Sequence, residues 1–159
     1  MRTFLLRGKE PIVKFKLLPD GVMYKGVVPD GYNLAVSPTP GYIVVDIDNH
    51  EGKKNGFDII HPHILKELLS TLHYKTKNNG MHCWFKYTGD KKLGNKTCGQ
   101  GIDLRTEKGY VAWWHTKPIE ECLDEIKETS ELMNNWLEGL FCYKAVLDKK
   151  INNYDSNIK

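Results

Sequence analysis

The chain has 159 residues, 40% of them hydrophobic and 27% charged, which suits one compact soluble domain and leaves no room for two ordinary ones. No apolar run approaches the roughly 20 residues that span a bilayer, and the start MRTFLLRGKEP lacks the long apolar stretch of a signal peptide, so a cytoplasmic protein without membrane association is expected. A net charge of +3 from 23 basic and 20 acidic residues permits a polyanion partner without demanding one.

In chain order, Pro19-Asp20-Gly21 and Pro29-Asp30-Gly31 are turn sequences, in which proline presets φ and glycine accepts positive φ. Tyr42-Ile43-Val44-Val45-Asp46-Ile47-Asp48 begins as an apolar, β-branched run without alternation, as in a central strand buried on both faces, and ends in acid. His61-Pro62 followed by Ile64, Leu65, Leu68, Leu69 and Leu72 predicts an amphipathic helix with proline in its first turn, packed on the sheet. Met81 to Tyr87 reads as a further strand after the Asn78-Asn79-Gly80 turn. Gly101 to Leu104 and Gly109 to Trp114 read as two short strands, with Thr106-Glu107-Lys108 as a hairpin connection. Two closing helices are predicted, one from Ile119, Cys122, Leu123 and Ile126, and one from Leu132, Met133, Trp136, Leu137 and Leu140. Residues 143–159 read as a tail or linker after a single domain, 1–142. Cys83, Cys98, Cys122 and Cys142 form no CxxC pair and read as reduced thiols, not a zinc site.

The chemistry centres on acids. Asp46 and Asp48, two apart at a strand end, put both carboxylates on one face. Either they lie solvated in a loop, or they share Mg²⁺ or Mn²⁺ with substrate phosphates. In Gly80-Met81-His82, the glycine allows backbone to approach a phosphate and His82 can donate to that phosphate, the alternative being a structural histidine. In Gly101-Ile102-Asp103-Leu104-Arg105, Asp103 completes a three-carboxylate cluster for two metals if its strand lies beside the first. Arg105 shares the face of Asp103, for a salt bridge or for a triphosphate. Trp113 and Trp114, adjacent in sequence, cannot both enter the core, so one can stack a nucleobase. Lys91, Lys92 and Lys96 either line a template groove or solubilise a loop, and His61 and His63 read as capping or surface residues.

Taken together, the acid pair after Val44-Val45, the Gly80-x-His82 turn, and Asp103 ahead of Gly109-Tyr110-Val111 resemble the prim-pol domains of the archaeo-eukaryotic primase superfamily, particularly phage and plasmid primase/polymerases. Tyr32-Asn33-Leu34-Ala35-Val36 with Pro40-Gly41, and Gly8-Lys9-Glu10-Pro11, match the family's flanks, so the resemblance spans roughly residues 7 to 142. It implies an α+β domain with a mixed, RRM-like catalytic sheet flanked by helices and a small N-terminal subregion. It also implies a nucleotidyltransferase in which Asp46, Asp48 and Asp103 bind two Mg²⁺ or Mn²⁺ ions. Gly80, His82 and Arg105 would then contact the nucleotide, and Lys9 the nucleotide or template.

The implied partners are nucleoside triphosphates, a single-stranded DNA template and a separate helicase or replication initiator, in a bacterial host cell if the chain is phage or mobile-element encoded. The chain differs from the family at Asn79 and Lys108, where relatives often have glycine, and at Trp113-Trp114-His115-Thr116, where they often have a proline-proline-serine segment. A non-catalytic module of the same fold, binding nucleic acid or a replication initiator, is the alternative, and a metal-dependent nuclease is a third reading.

Overall fold

The computed structural model describes residues 1–49, 55–98 and 100–140, and its architecture is α+β, as expected. One sheet of four antiparallel strands carries the N-terminal segment. β1 (Arg2–Arg7) pairs with β2 (Glu10–Pro11) on one edge and with β3 (Tyr32–Ser37) on the other, and β3 pairs with β9 (Val111–Ala112). A second, mixed sheet runs β10 (Lys127–Glu128), β6 (Met81–Lys86), β4 (Tyr42–Ile47), β8 (Ile102–Arg105) and β7 (Lys96–Thr97), and β5 (His73–Lys75) also pairs with β6. Among the described residues only the β10–β6 pair is parallel.

β4 lies at the centre of that sheet because its sequence tolerates nothing else. Ile43, Val44, Val45 and Ile47 are at most 1% exposed, and each such side chain contributes roughly 1.5–3 kcal/mol through burial. Period two divides them between the faces. Ile43, Val45 and Ile47 meet Ile64 and Leu68 of helix α1 (Pro62–Leu68) and Met133 and Leu137 of a second helix, α2, covering 131–140. Proline in the first turn and the His61 ring, which accepts from the His63 backbone N–H, start α1, so the His61–Pro62–His63 segment serves as a cap. Val44, on the opposite face, packs with Trp84 of β6 against Val36 and Val111 of the first sheet. The order of layers is therefore helices, central mixed sheet, first sheet.

Two expected elements differ. Thr106 to Gly109 forms a turn, with the Gly109 N–H donating to the Thr106 carbonyl, but it does not close a hairpin. β8 is already paired on both edges, by β4 and β7, so the chain leaves the central sheet and β9 joins β3. The predicted helix after Pro118 is instead two 3-10 turns, Ile119–Glu121 and Leu123–Glu125, followed by β10. Of its apolar positions, Ile119, Cys122 and Ile126 are buried, while Leu123 is exposed. Tight i to i+3 turns meet that requirement and still release the chain extended in time to pair with β6. The expected tail, 143–159, lies outside the described residues, as does Cys142. Cys83, Cys98 and Cys122 are buried, and none of them is half of a disulfide. Among the described residues no helix is long and apolar enough to cross a membrane.

Candidate functional site

The face of the central sheet that turns toward the first sheet changes character along its length. At one end Val44 and Trp84 close the core between the sheets. Two residues along each strand, the same face carries Asp46 and His82, which are direct cross-strand partners. Asp46 also stands opposite Asp103 on β8, Asp103 opposite Thr97 on β7, and His82 opposite Tyr74 on β5. The result is one continuous row across five strands: Tyr74, His82, Asp46, Asp103, Thr97. Cross-strand partners have Cβ atoms roughly 4.5–5.5 Å apart, so the register alone forces the two carboxylates together.

Each acid has a partner. Asp46 Oδ1 lies 3.3 Å from His82 Nε2, and Asp103 Oδ2 accepts from Arg105 Nη2 at 3.2 Å. Of the two uses open to Arg105, the salt bridge is present. Asp48, just past the end of β4, is fixed through its backbone: its N–H donates to the Gly101 carbonyl at 2.8 Å, and its carbonyl accepts from the Gly56 N–H at 2.9 Å. The Asp103 carboxyl is raised above the ordinary carboxylate value, mainly by burial and further by the charges of Asp46 and Asp48, with Arg105 opposing. Asp103 therefore senses both other acids. Among the described residues, no three His, Cys, Asp or Glu side chains form a ready-made metal cage.

The raised Asp103 has a consequence for stability. A carboxyl whose folded pKa lies above its unfolded value of 3.8 destabilises the fold once the pH exceeds the folded pKa, and the cost disappears below 3.8. Asp103→Asn is thus expected to melt higher than the wild type at neutral pH in chelator, by about 2–4 °C for each kcal/mol relieved. The gap should close as the pH falls through the carboxylate range. A variant that melts lower at neutral pH contradicts this reading.

A cleft of about 770 Å³ opens between the two sheets over this row, and Asp46, Asp48, His82, Arg105, Lys9 and Trp114 are among its walls. The N-terminal turn reaches it because Gly8 adopts φ +64° and the Tyr110 hydroxyl donates to the Lys9 carbonyl at 2.7 Å. Trp113 is buried at 8% exposure, while Trp114 is partly exposed at the cleft, so the pair divides between core and surface. Asp103, beside Asp46 in the sheet, is not itself a wall of the cleft. Gly80 is not a wall either. It is buried, and a Cβ there would run into the Ile47 carbonyl oxygen, so close approach of β4 accounts for the glycine. Lys91 and Lys92 line a separate groove beside Tyr42 and Gly89.

Sequence reasoning missed Lys77 and Asn95, both of which line the cleft. Lys77 belongs to the turn that delivers His82, and its proximity in sequence was an available signal. Asn95 had none: its side chain accepts from the Thr106 N–H at 2.7 Å and packs against Gly109, where a Cβ would collide with it. Residues 25–120 match the model of the family described as bifunctional DNA primase/polymerase, N-terminal. No curated protein matches the chain.

Proposed function

Because the chain belongs to the bifunctional DNA primase/polymerase family, we propose that it is a metal-dependent nucleotidyltransferase that joins nucleoside triphosphates on a single-stranded DNA template in phage or mobile-element replication. The observation that carries this reading is the cross-strand row in which Asp46 and His82, both walls of the cleft, stand side by side and Asp103 flanks Asp46. Partly buried carboxylates set this close, with Asp46 and Asp48 raising the proton affinity of Asp103, are unfavourable alone, and a divalent cation offsets that repulsion. The donor set fits Mg²⁺ or Mn²⁺. These are hard ions that take carboxylate oxygens and complete their shells with water and substrate phosphate, so they do not require an all-protein cage. Asp46, Asp48 and Asp103 would hold two such ions. Ions bound there would supply Lewis-acid activation of the 3′ hydroxyl and α-phosphate and charge neutralisation for the leaving pyrophosphate.

The remaining walls divide the work of binding. Lys9, Lys77 and Arg105 bring positive charge to the cleft for the triphosphate. His82 is only 6% exposed at its side chain and aims Nε2 at the carboxylate edge, where it donates to a phosphate oxygen and holds the triphosphate in line. Trp114 offers a ring face to a base. Base choice is left to template pairing, and a separate helicase or replication initiator would supply the opened strand in the host cytoplasm.

The reading is tested by metal-dependent incorporation of labelled nucleotide on single-stranded DNA. Degradation of the template instead would identify a nuclease. His82→Ala is expected to weaken nucleotide binding about tenfold, one charge-assisted hydrogen bond, while template affinity stays within about twofold. Equal losses of both in binding titrations would remove His82 from the phosphate.

A further inference from the structure

The imidazole of His82 is held from behind by a buried chain of hydrogen bonds. Trp84 Nε1 lies 3.0 Å from the Tyr74 hydroxyl, and the same hydroxyl lies 3.2 Å from His82 Nδ1. Tyr74 is 8% exposed, His82 4% and Trp84 0%. The Tyr74 ring meets Trp113 edge-on, with centroids 4.9 Å apart, and His115 at 5.7 Å, which fixes where its oxygen points.

We propose that Tyr74 is a positioning residue that locks His82 as the Nε2–H tautomer, so that the ring presents a hydrogen-bond donor to the cleft. An indole N–H can only donate, so the phenol oxygen accepts from Trp84. The phenol keeps its own proton, because burial raises it above the ordinary tyrosine value. That O–H needs an acceptor, and among the described residues its other polar neighbour is His82 Nδ1. Were Nδ1 protonated, a buried hydroxyl would be left unsatisfied, the costlier arrangement. Tyr74 therefore donates to Nδ1, and the ring proton of neutral His82 resides on Nε2. Asp46 asks for the same tautomer from the front, since a carboxylate 3.3 Å from Nε2 accepts only. Every donor in the series Trp84, Tyr74, His82, Asp46 thus points the same way, from the core between the sheets toward the acids.

The lock matters when Asp46 is engaged elsewhere. If the Asp46 carboxylate turns to another ligand, the front contact is lost and Tyr74 alone keeps Nε2 a donor, free to meet an anionic oxygen. What His82 then donates to rests on the proposed function; the tautomer itself does not, so the two are tested apart.

The test is the ¹⁵N spectrum of the His82 ring in the metal-free 159-residue chain, in mildly alkaline buffer where an ordinary imidazole is neutral. Asp46→Ala removes the front partner and is expected to leave the Nε2–H pattern intact. The double variant Asp46→Ala, Tyr74→Phe is expected to shift toward averaged tautomers. An Nδ1–H or averaged pattern already in Asp46→Ala overturns the proposal, as does an unchanged Nε2–H pattern in a folded double variant. If Tyr74→Phe prevents folding, the Asp46→Ala spectrum decides alone, with an Nε2–H pattern beyond the mixture of free histidine supporting the lock and an averaged or Nδ1–H pattern refuting it. Neither spectrum depends on whether the protein incorporates nucleotides.

Discussion

Replacing Asp46 and Asp48 together with alanine is expected to lower metal-dependent nucleotide incorporation by about a thousandfold or more while leaving the protein folded. Loss of one preorganised electrostatic group at a reacting centre commonly costs 10² to 10³ in rate, and here two proposed cation ligands go at once. Folding should survive because neither side chain holds the core. Asp46 sits at 21% side-chain exposure, and the anchoring of Asp48 described above runs through its backbone, which alanine retains. Removing acids that raise Asp103 should even relieve the repulsion among them. Circular dichroism and a thermal melt beside the incorporation assay separate lost chemistry from lost structure. Substantial synthesis by the folded double variant would remove both acids from the mechanism.

Trp84→Ala is expected to produce the largest loss of stability. Its side chain is fully buried at the junction of the two sheets, packs against Trp113 with centroids 6.0 Å apart, and donates to the buried Tyr74 hydroxyl. Truncating a core tryptophan costs about 3–5 kcal/mol, and an orphaned partner adds to that. Domains hold only about 5–15 kcal/mol in total, so the melting temperature should drop by about 10 °C or more. A melt within about 2 °C of the wild type would mean that the junction between the sheets is not where the fold is held.

Much of this arrangement can be read from local sequence, and the exceptions share a cause. Strand β4 is legible because an unbroken β-branched run has few other places to go, and the acids at its end mark a change of environment. The neighbouring position of β8 is legible only conditionally: Gly101 to Leu104 reads as a strand, but its pairing with β4, which brings Asp103 opposite Asp46, is a matter of register that no local pattern encodes. The hairpin expected after Arg105 fails for the same reason, because local turn chemistry is blind to an edge already occupied by β7. The 3-10 turns after Pro118 share with a helix the spacing of Ile119, Cys122 and Ile126, so periodicity could not separate them. Tyr74 is the furthest from legibility. It lies on a three-residue strand whose pairing with β6 sets its ring behind His82, and nothing around it in sequence marks it as part of a site.

The central claim is that the row of acids beneath the cleft serves nucleotidyl transfer. Its most direct test is incubation of the full chain with unprimed single-stranded DNA, manganese and labelled nucleoside triphosphates, with products resolved by length. The account predicts labelled, template-dependent products that disappear when the metal is chelated. Protein that is folded and binds the template, yet forms no labelled product with either manganese or magnesium, would contradict it and leave a binding module in place of an enzyme.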